Sequence, residues 1–189
     1  MTDIHWQHNQ SIIENSDTFD ERDWNIAAFR IFSDRYIGQV GQIRPKAVTQ
    51  KQAFDMVKRW HKHLKAPQGW KFGLAIEDDI GALGVVIVGR PVSRNLDDGV
   101  TFEITRLALI DKGIKNAASI LLGAACKSAK LHGASRIISY TLDDEDGVAY
   151  KASGFHVDHI TQGQRWSRET RERKDEHPTC DKKRWVKKL

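Results

Sequence analysis

Four groups of side chains in this sequence have types and spacings that can do chemistry. Glu103 and Arg106 lie in Thr101-Phe-Glu-Ile-Thr-Arg-Leu-Ala-Leu109, where Phe102, Ile104 and Ala108 recur on alternate positions. A regular strand sends alternate residues to one face. Arg106 is therefore expected on the apolar face, where an uncompensated charge is costly. It must pair with Glu103 or an Asp, or meet a ligand phosphate or carboxylate. Glu103 is either an outward-facing carboxylate of that strand or a proton acceptor. Tyr140 and Tyr150 carry phenolic hydroxyls that serve either as proton donors or simply as the polar ends of core aromatics. In Trp60-His-Lys-His63, with Trp70 nearby, His61 and His63 titrate near neutral pH. Trp60 and Trp70 offer faces for stacking on a base or ring; the alternative is a set of solvated histidines at a helix end. The fourth group is Lys112-Gly113-Ile-Lys115-Asn116-Ala117-Ala-Ser119, a tight loop opening a helix, whose free N–H groups and dipole suit an anion.

These residues need elements to hold them. Thr49-Gln-Lys-Gln52 reads as a capping box, followed by a helix striped by Phe54, Val57, Trp60 and Leu64 and ended by Pro67 and Gly69. Lys71–Glu77 and Ala82–Gly89 form a hairpin across Asp78–Gly81. Val100–Ile110 is a strand, Asn116–Leu131 a helix stopped at Gly133, and Arg136–Leu142 a buried strand. A short helix ends at Gly154, and Phe155–Ile160 is the last clear strand. The expected fold class is α/β: a mixed, mostly antiparallel sheet with helices on both faces. Residues 1–40 form an N-terminal arm with helical spacing over Asp20–Ser33, which packs on the body or on a second copy of the chain as a homodimer. Residues 41–164 form the body and 165–189 a basic tail packed on it or extending it.

Composition narrows the class. A chain of 189 residues, 40% apolar and 29% charged, suits one soluble domain. No apolar run approaches the roughly 18 residues of a membrane span, so no membrane partner is expected. No basic, apolar leader opens the chain. Cys126 and Cys180 are an unlikely disulfide pair by position, which suits a reducing, cytoplasmic setting. From Arg165 to Leu189 ten Lys/Arg face five Asp/Glu, which accounts for the whole net charge of +5. Such a tail is either a solvated surface or a contact for nucleic acid, a reading that Trp166 and Trp185 favour and the interleaved acids oppose. His156 and His159 offer no better metal pair than His61 and His63. The absence of Gly-x-Ser-x-Gly, P-loop and dinucleotide fingerprints argues against those hydrolase and nucleotide-binding classes.

Phe102-Glu-Ile-Thr-Arg-Leu-Ala-Leu109, a loop, then Ser119-Ile-Leu-Leu122, resembles the core of the GNAT acetyltransferases. Ala149-Tyr-Lys-Ala-Ser-Gly-Phe155 resembles their closing motif, a tyrosine four residues before a Gly-Phe pair. More narrowly, Gly89-Arg-Pro-Val-Ser-Arg94, Glu103-Ile-Thr-Arg106, Asn116-Ala-Ala-Ser119 and Ser139-Tyr-Thr-Leu142 resemble relatives of Mom, a phage protein that modifies adenine in DNA. The resemblance implies an N-acyltransferase using acetyl-CoA or another acyl-CoA, with an amine-bearing acceptor. It assigns Glu103 as base, with His63 as a further candidate, and Tyr150 or Tyr140 as acid. Backbone of Leu107 and Leu109 and the loop residues Lys112, Gly113, Lys115, Asn116, Ala117 and Ser119 would hold the cofactor. Arg106, His61, Trp60 and Trp70 would line the acceptor side. Ordinary members carry Gln/Arg-x-x-Gly-x-Gly/Ala where this chain has Gly113-Ile-Lys-Asn-Ala-Ala-Ser119. That departure leaves room for another acyl donor or for a binding module without catalysis.

Overall fold

The computed structural model describes residues 43–61, 67–78, 81–110, 114–163 and 180–189. The N-terminal arm, His63, Lys112 and Gly113 lie outside these residues. Among the described residues the α-helices and strands follow in the order β1 Arg44–Val48, α1 Gln50–Trp60, β2 Phe72–Glu77, β3 Ala82–Gly89, β4 Thr101–Leu109, α2 Ala117–Leu131, β5 Arg136–Leu142, α3 Val148–Ala152, β6 His156–Thr161 and β7 Lys182–Lys188.

Local signals explain most of them. Gln52 N–H donates to the Thr49 hydroxyl at 3.3 Å and Thr49 N–H to the Gln52 side-chain carbonyl at 3.0 Å, so the capping box starts α1 as expected. Gly133, at φ +85°, ends α2, with Ala134 N–H reaching back to the Ala129 carbonyl at 3.0 Å. β3 is an apolar run because both its faces are covered. Val85 and Ile87 pack with Ala53 and Val57 of α1. On the other face a Cβ at Gly84 would meet Leu121 of α2. Helices thus cover both faces, and the fold class is as expected. Among the described residues no helix is long and apolar enough to cross a membrane.

The seven strands run in the order β1-β2-β3-β4-β5-β7-β6. All neighbours are antiparallel except β4 and β5. That parallel pair is short: Thr101–Ile104 match Arg136–Ser139 and the pairing stops there. Beyond it Arg106–Leu109 stay with β3 while Tyr140–Leu142 stay with β7, so the sheet forks. β7 lies within the stretch expected to be a tail. It is an inner strand, and its Trp185 is 1% exposed. Trp185 stacks on Tyr150 and donates its indole N–H to Thr141 at 3.0 Å, so it is not available to stack on a nucleic-acid base.

Candidate active site

The fork gathers the chemistry, and an irregularity in β4 decides which residues meet there. Ile87 pairs with Arg106 but Val88 with Ile104, so Thr105 is an extra, bulged residue. Its hydroxyl donates to the Ile87 carbonyl at 3.3 Å. The bulge breaks the alternation: Glu103 and Arg106, three apart, come to share a face. Arg106 is therefore not on the Phe102–Ile104 face, as unbroken alternation would place it. It lies opposite Ile87, on the α1 side, together with Ala108.

Glu103 is 5% exposed, and its carboxylate accepts the Val92 N–H at 2.9 Å. Burial pushes its pKa above the usual carboxylate range, against the opposing pull of that N–H and of Arg106. Burial in turn lowers Arg106, against the charge of Glu103, and its guanidinium donates to the Thr105 carbonyl at 2.6 Å. Glu103 pairs with Ile138, so Tyr140, two residues on, faces the same side. Burial and then the charge of Glu103 raise the Tyr140 pKa, which places its hydroxyl within the field of that carboxylate. The segment holding Gly69 crosses this face at Gly89, the cross-strand partner of Glu103; a Cβ there would come within 3.2 Å of the Gly69 carbonyl.

Tyr150 approaches the fork from the other face. Its hydroxyl lies 2.9 Å from the Ser139 hydroxyl, which lies 3.2 Å from the Ile104 carbonyl. Ile104 and Ser139 are the last parallel pair before the strands diverge. Packed between Trp185 and Phe155, Tyr150 has its pKa pushed up to about 12 by burial, with the Ser139 hydrogen bond opposing. It is a protonated donor throughout the neutral range.

The α2 end of the fork suits an anion. Asn116 adopts φ +62°, a left-handed turn that carries the chain into α2, and its own side chain does not cap the helix. Ser119 spends its hydroxyl on the Asn116 carbonyl at 2.9 Å, away from the first-turn N–H groups. Lys115 is exposed beside them, and Ala117 is buried. Leu107 and Leu109 line the α2 face, pairing with Val86 and Gly84. Along the same stretch β4 has no strand partner on its fork side among the described residues.

The structure thus brings Glu103, Arg106 and Tyr140 together and sets Tyr150 across the fork. Trp60 and Trp70 pack around the α1 cluster instead; the Trp70 ring lies over Gly73 and edge-on to Phe54 at 5.9 Å. His61 closes α1, its N–H donating to the Val57 carbonyl at 2.9 Å. Among the described residues no cluster of three or more His, Cys, Asp or Glu could hold a metal. Sequence reasoning passed over Val92 and Thr105, since neither a donated N–H nor a bulge leaves a mark in residue type.

The profile of the Mom protein family matches residues 42–188. The chain belongs to the Mom protein family. No curated protein matches it. Among solved structures, this Mom-family protein is similar to a Bacillus subtilis acetyltransferase in complex with CoA. Their identity is 16%, with 78% of this chain and 99% of that one covered and a TM-score of 0.55. It is similar to the IAA acetyltransferase of Bacillus cereus at 15% identity, 78% and 100% coverage and a TM-score of 0.57. A Salmonella typhimurium protein described as an acetyltransferase, solved with acetyl-CoA, matches at 12% identity, 78% and 94% coverage and a TM-score of 0.57. The Mom-family chain has the GNAT fold.

Proposed function

We propose that this protein transfers an acyl group from an acyl-CoA to an amine at the β4–β5 fork. The carrying observation is that Glu103 on one face and Tyr150 on the other flank the last paired residues, Ile104 and Ser139. The α2 N-terminus, Lys115 and the open side of β4 fit a pyrophosphate with an amide-bearing arm. When bound, the cofactor supplies the thioester. The amine attacks it directly, and the residues manage protons. Glu103, buried and raised in pKa, takes the proton that the amine must lose. Tyr150, still protonated at neutral pH, gives one to the departing sulfur.

Family membership and the resemblance to the phage protein favour an adenine amino group in DNA as the acceptor. The lone pair of that amine is delocalised into the ring, so its attack gains more from a positioned base than attack by an aliphatic amine would. A target base inside a duplex must also leave the stack to reach a carboxylate as buried as Glu103. The basic β7 contributes less charge to such a contact than its composition suggests. Lys183 and Arg184 are paired with Asp143 and Asp158.

Two experiments test the reading. Calorimetry should show acetyl-CoA binding that Lys115→Glu weakens; no binding to the wild type would sink the proposal. Nucleosides from DNA of cells expressing the protein should include a modified adenine, absent with Glu103→Gln, and an unchanged profile would remove DNA as the acceptor.

A further inference from the structure

A second irregularity lies in β6, two strands beyond Tyr140. Val157 pairs with Trp185 but His159 with Arg184, so Asp158 is an extra residue in β6. The bulge aims Asp158 at Arg184, and the pair is bidentate, with Nε to Oδ1 at 2.7 Å and the second contact at 3.0 Å. Arg184 in turn is the cross-strand partner of Tyr140; burial and the charge of Glu103 raise the Tyr140 pKa, and the neighbouring guanidinium opposes them. A guanidinium has no acceptor, so toward it the tyrosine oxygen can only accept, which leaves the phenolic proton for another partner.

The Arg184 and Asp158 side chains are 21% and 31% exposed, so solvent screens part of their attraction. Held at both oxygens of Asp158 through Nε and Nη2, however, the planar guanidinium is fixed in place and keeps three N–H groups to donate elsewhere. Its cross-strand partner Tyr140 lies on the same face of the sheet. The charged and titratable groups facing Tyr140 are Glu103 and Arg106 from β4, Arg184 from β7, and Asp158 and His159 from β6.

We propose that Arg184, clamped by Asp158, is a positioning residue that fixes the Tyr140 hydroxyl so that its proton points to the acceptor bound beside Glu103. Tyr140 would then donate to an accepting atom next to the reacting amine, such as a ring nitrogen of a nucleobase. The inference rests on the transferase reading above.

The test uses the full chain and two readouts. Loss of one positioned hydrogen bond should raise the acceptor KM roughly tenfold in Arg184→Gln and in Tyr140→Phe, with acetyl-CoA affinity unchanged in both. Because Arg184 acts through Tyr140, the double variant should be no worse than Tyr140→Phe alone. Independently, protein labelled with 13C at tyrosine Cζ should give three signals, one per tyrosine. The signal absent from Tyr140→Phe should titrate at higher pH in Arg184→Gln, which removes a cationic donor. Should Arg184→Gln not fold, Asp158→Asn loosens the clamp while keeping the guanidinium and should show the same non-additivity. An additive double variant, or an unmoved Tyr140 signal, overturns the inference alone. Absence of transfer by the wild type overturns the functional reading on which it rests.

Discussion

Among the described residues the Val92 N–H is the one backbone donor on the Glu103 carboxylate, and replacing Val92 by proline removes it without touching the carboxylate. A hydrogen bond to a charged group contributes about 1.5–3 kcal/mol. At about 1.4 kcal/mol per pKa unit, Val92→Pro should raise the Glu103 pKa by about 1–2 units beyond its already elevated value. If Glu103 is the base, the acidic limb of the pH–rate profile moves up by the same amount. Val92 is itself 80% exposed, so Val92→Ala, which keeps the N–H, should leave the limb in place. Stability gives a second signature with a definite sign. A carboxyl whose folded pKa lies above its unfolded value favours the fold at low pH, and that contribution is lost as pH rises through the folded pKa. The cost of Val92→Pro should therefore be small where Glu103 is protonated. It should grow to about 1.5–3 kcal/mol above the new pKa, read by urea denaturation across pH. A limb that stays put in Val92→Pro, or a cost independent of pH, would refute the role given to Glu103.

Three further outcomes follow from the same geometry. Tyr150→Phe should lower kcat by roughly 10²–10⁴-fold, the span of a lost general acid, while urea denaturation shows a loss of only about 1 kcal/mol because Ser139 keeps the Ile104 carbonyl. Gly147→Ala should be severely destabilising, about 3 kcal/mol or more by denaturation. Its φ is +62°, and an added Cβ would fall 2.0 Å from the buried Trp185 ring. Lys115→Glu should weaken acetyl-CoA by about tenfold in calorimetry, less so at high salt, since a repulsive charge would stand beside the α2 N-terminus.

The elements fixed by local rules were legible in the sequence: the Thr49 capping box, the β2–β3 hairpin, α2 with its stop at Gly133, and the apolar β5. β7 was not. Lys182-Lys-Arg-Trp-Val-Lys-Lys188 reads as a polar tail, and only its insertion between β5 and β6 buries Trp185. The face of Arg106 was likewise hidden, because the Thr105 bulge depends on register with β3, a long-range pairing that no local pattern records. The same holds for Asp158 opposite Arg184. Glu103, Arg106, Tyr140 and Tyr150 could be singled out as candidates by type and motif. Which of them meet, and from which side of the sheet, required the fork. Trp60 and Trp70 show the converse: aromatics singled out for stacking that pack, in the described structure, around α1.

The central claim is that the fork between Glu103 and Tyr150 carries acyl transfer from CoA. The most direct measurement incubates the purified protein with duplex DNA and acetyl-CoA labelled with 13C in the acetyl group, then digests the DNA and weighs the nucleosides. The expected result is a labelled adenine nucleoside with matching release of free CoA, both lost in Glu103→Gln. Unlabelled nucleosides with no CoA released, from protein that binds acetyl-CoA, would contradict the account.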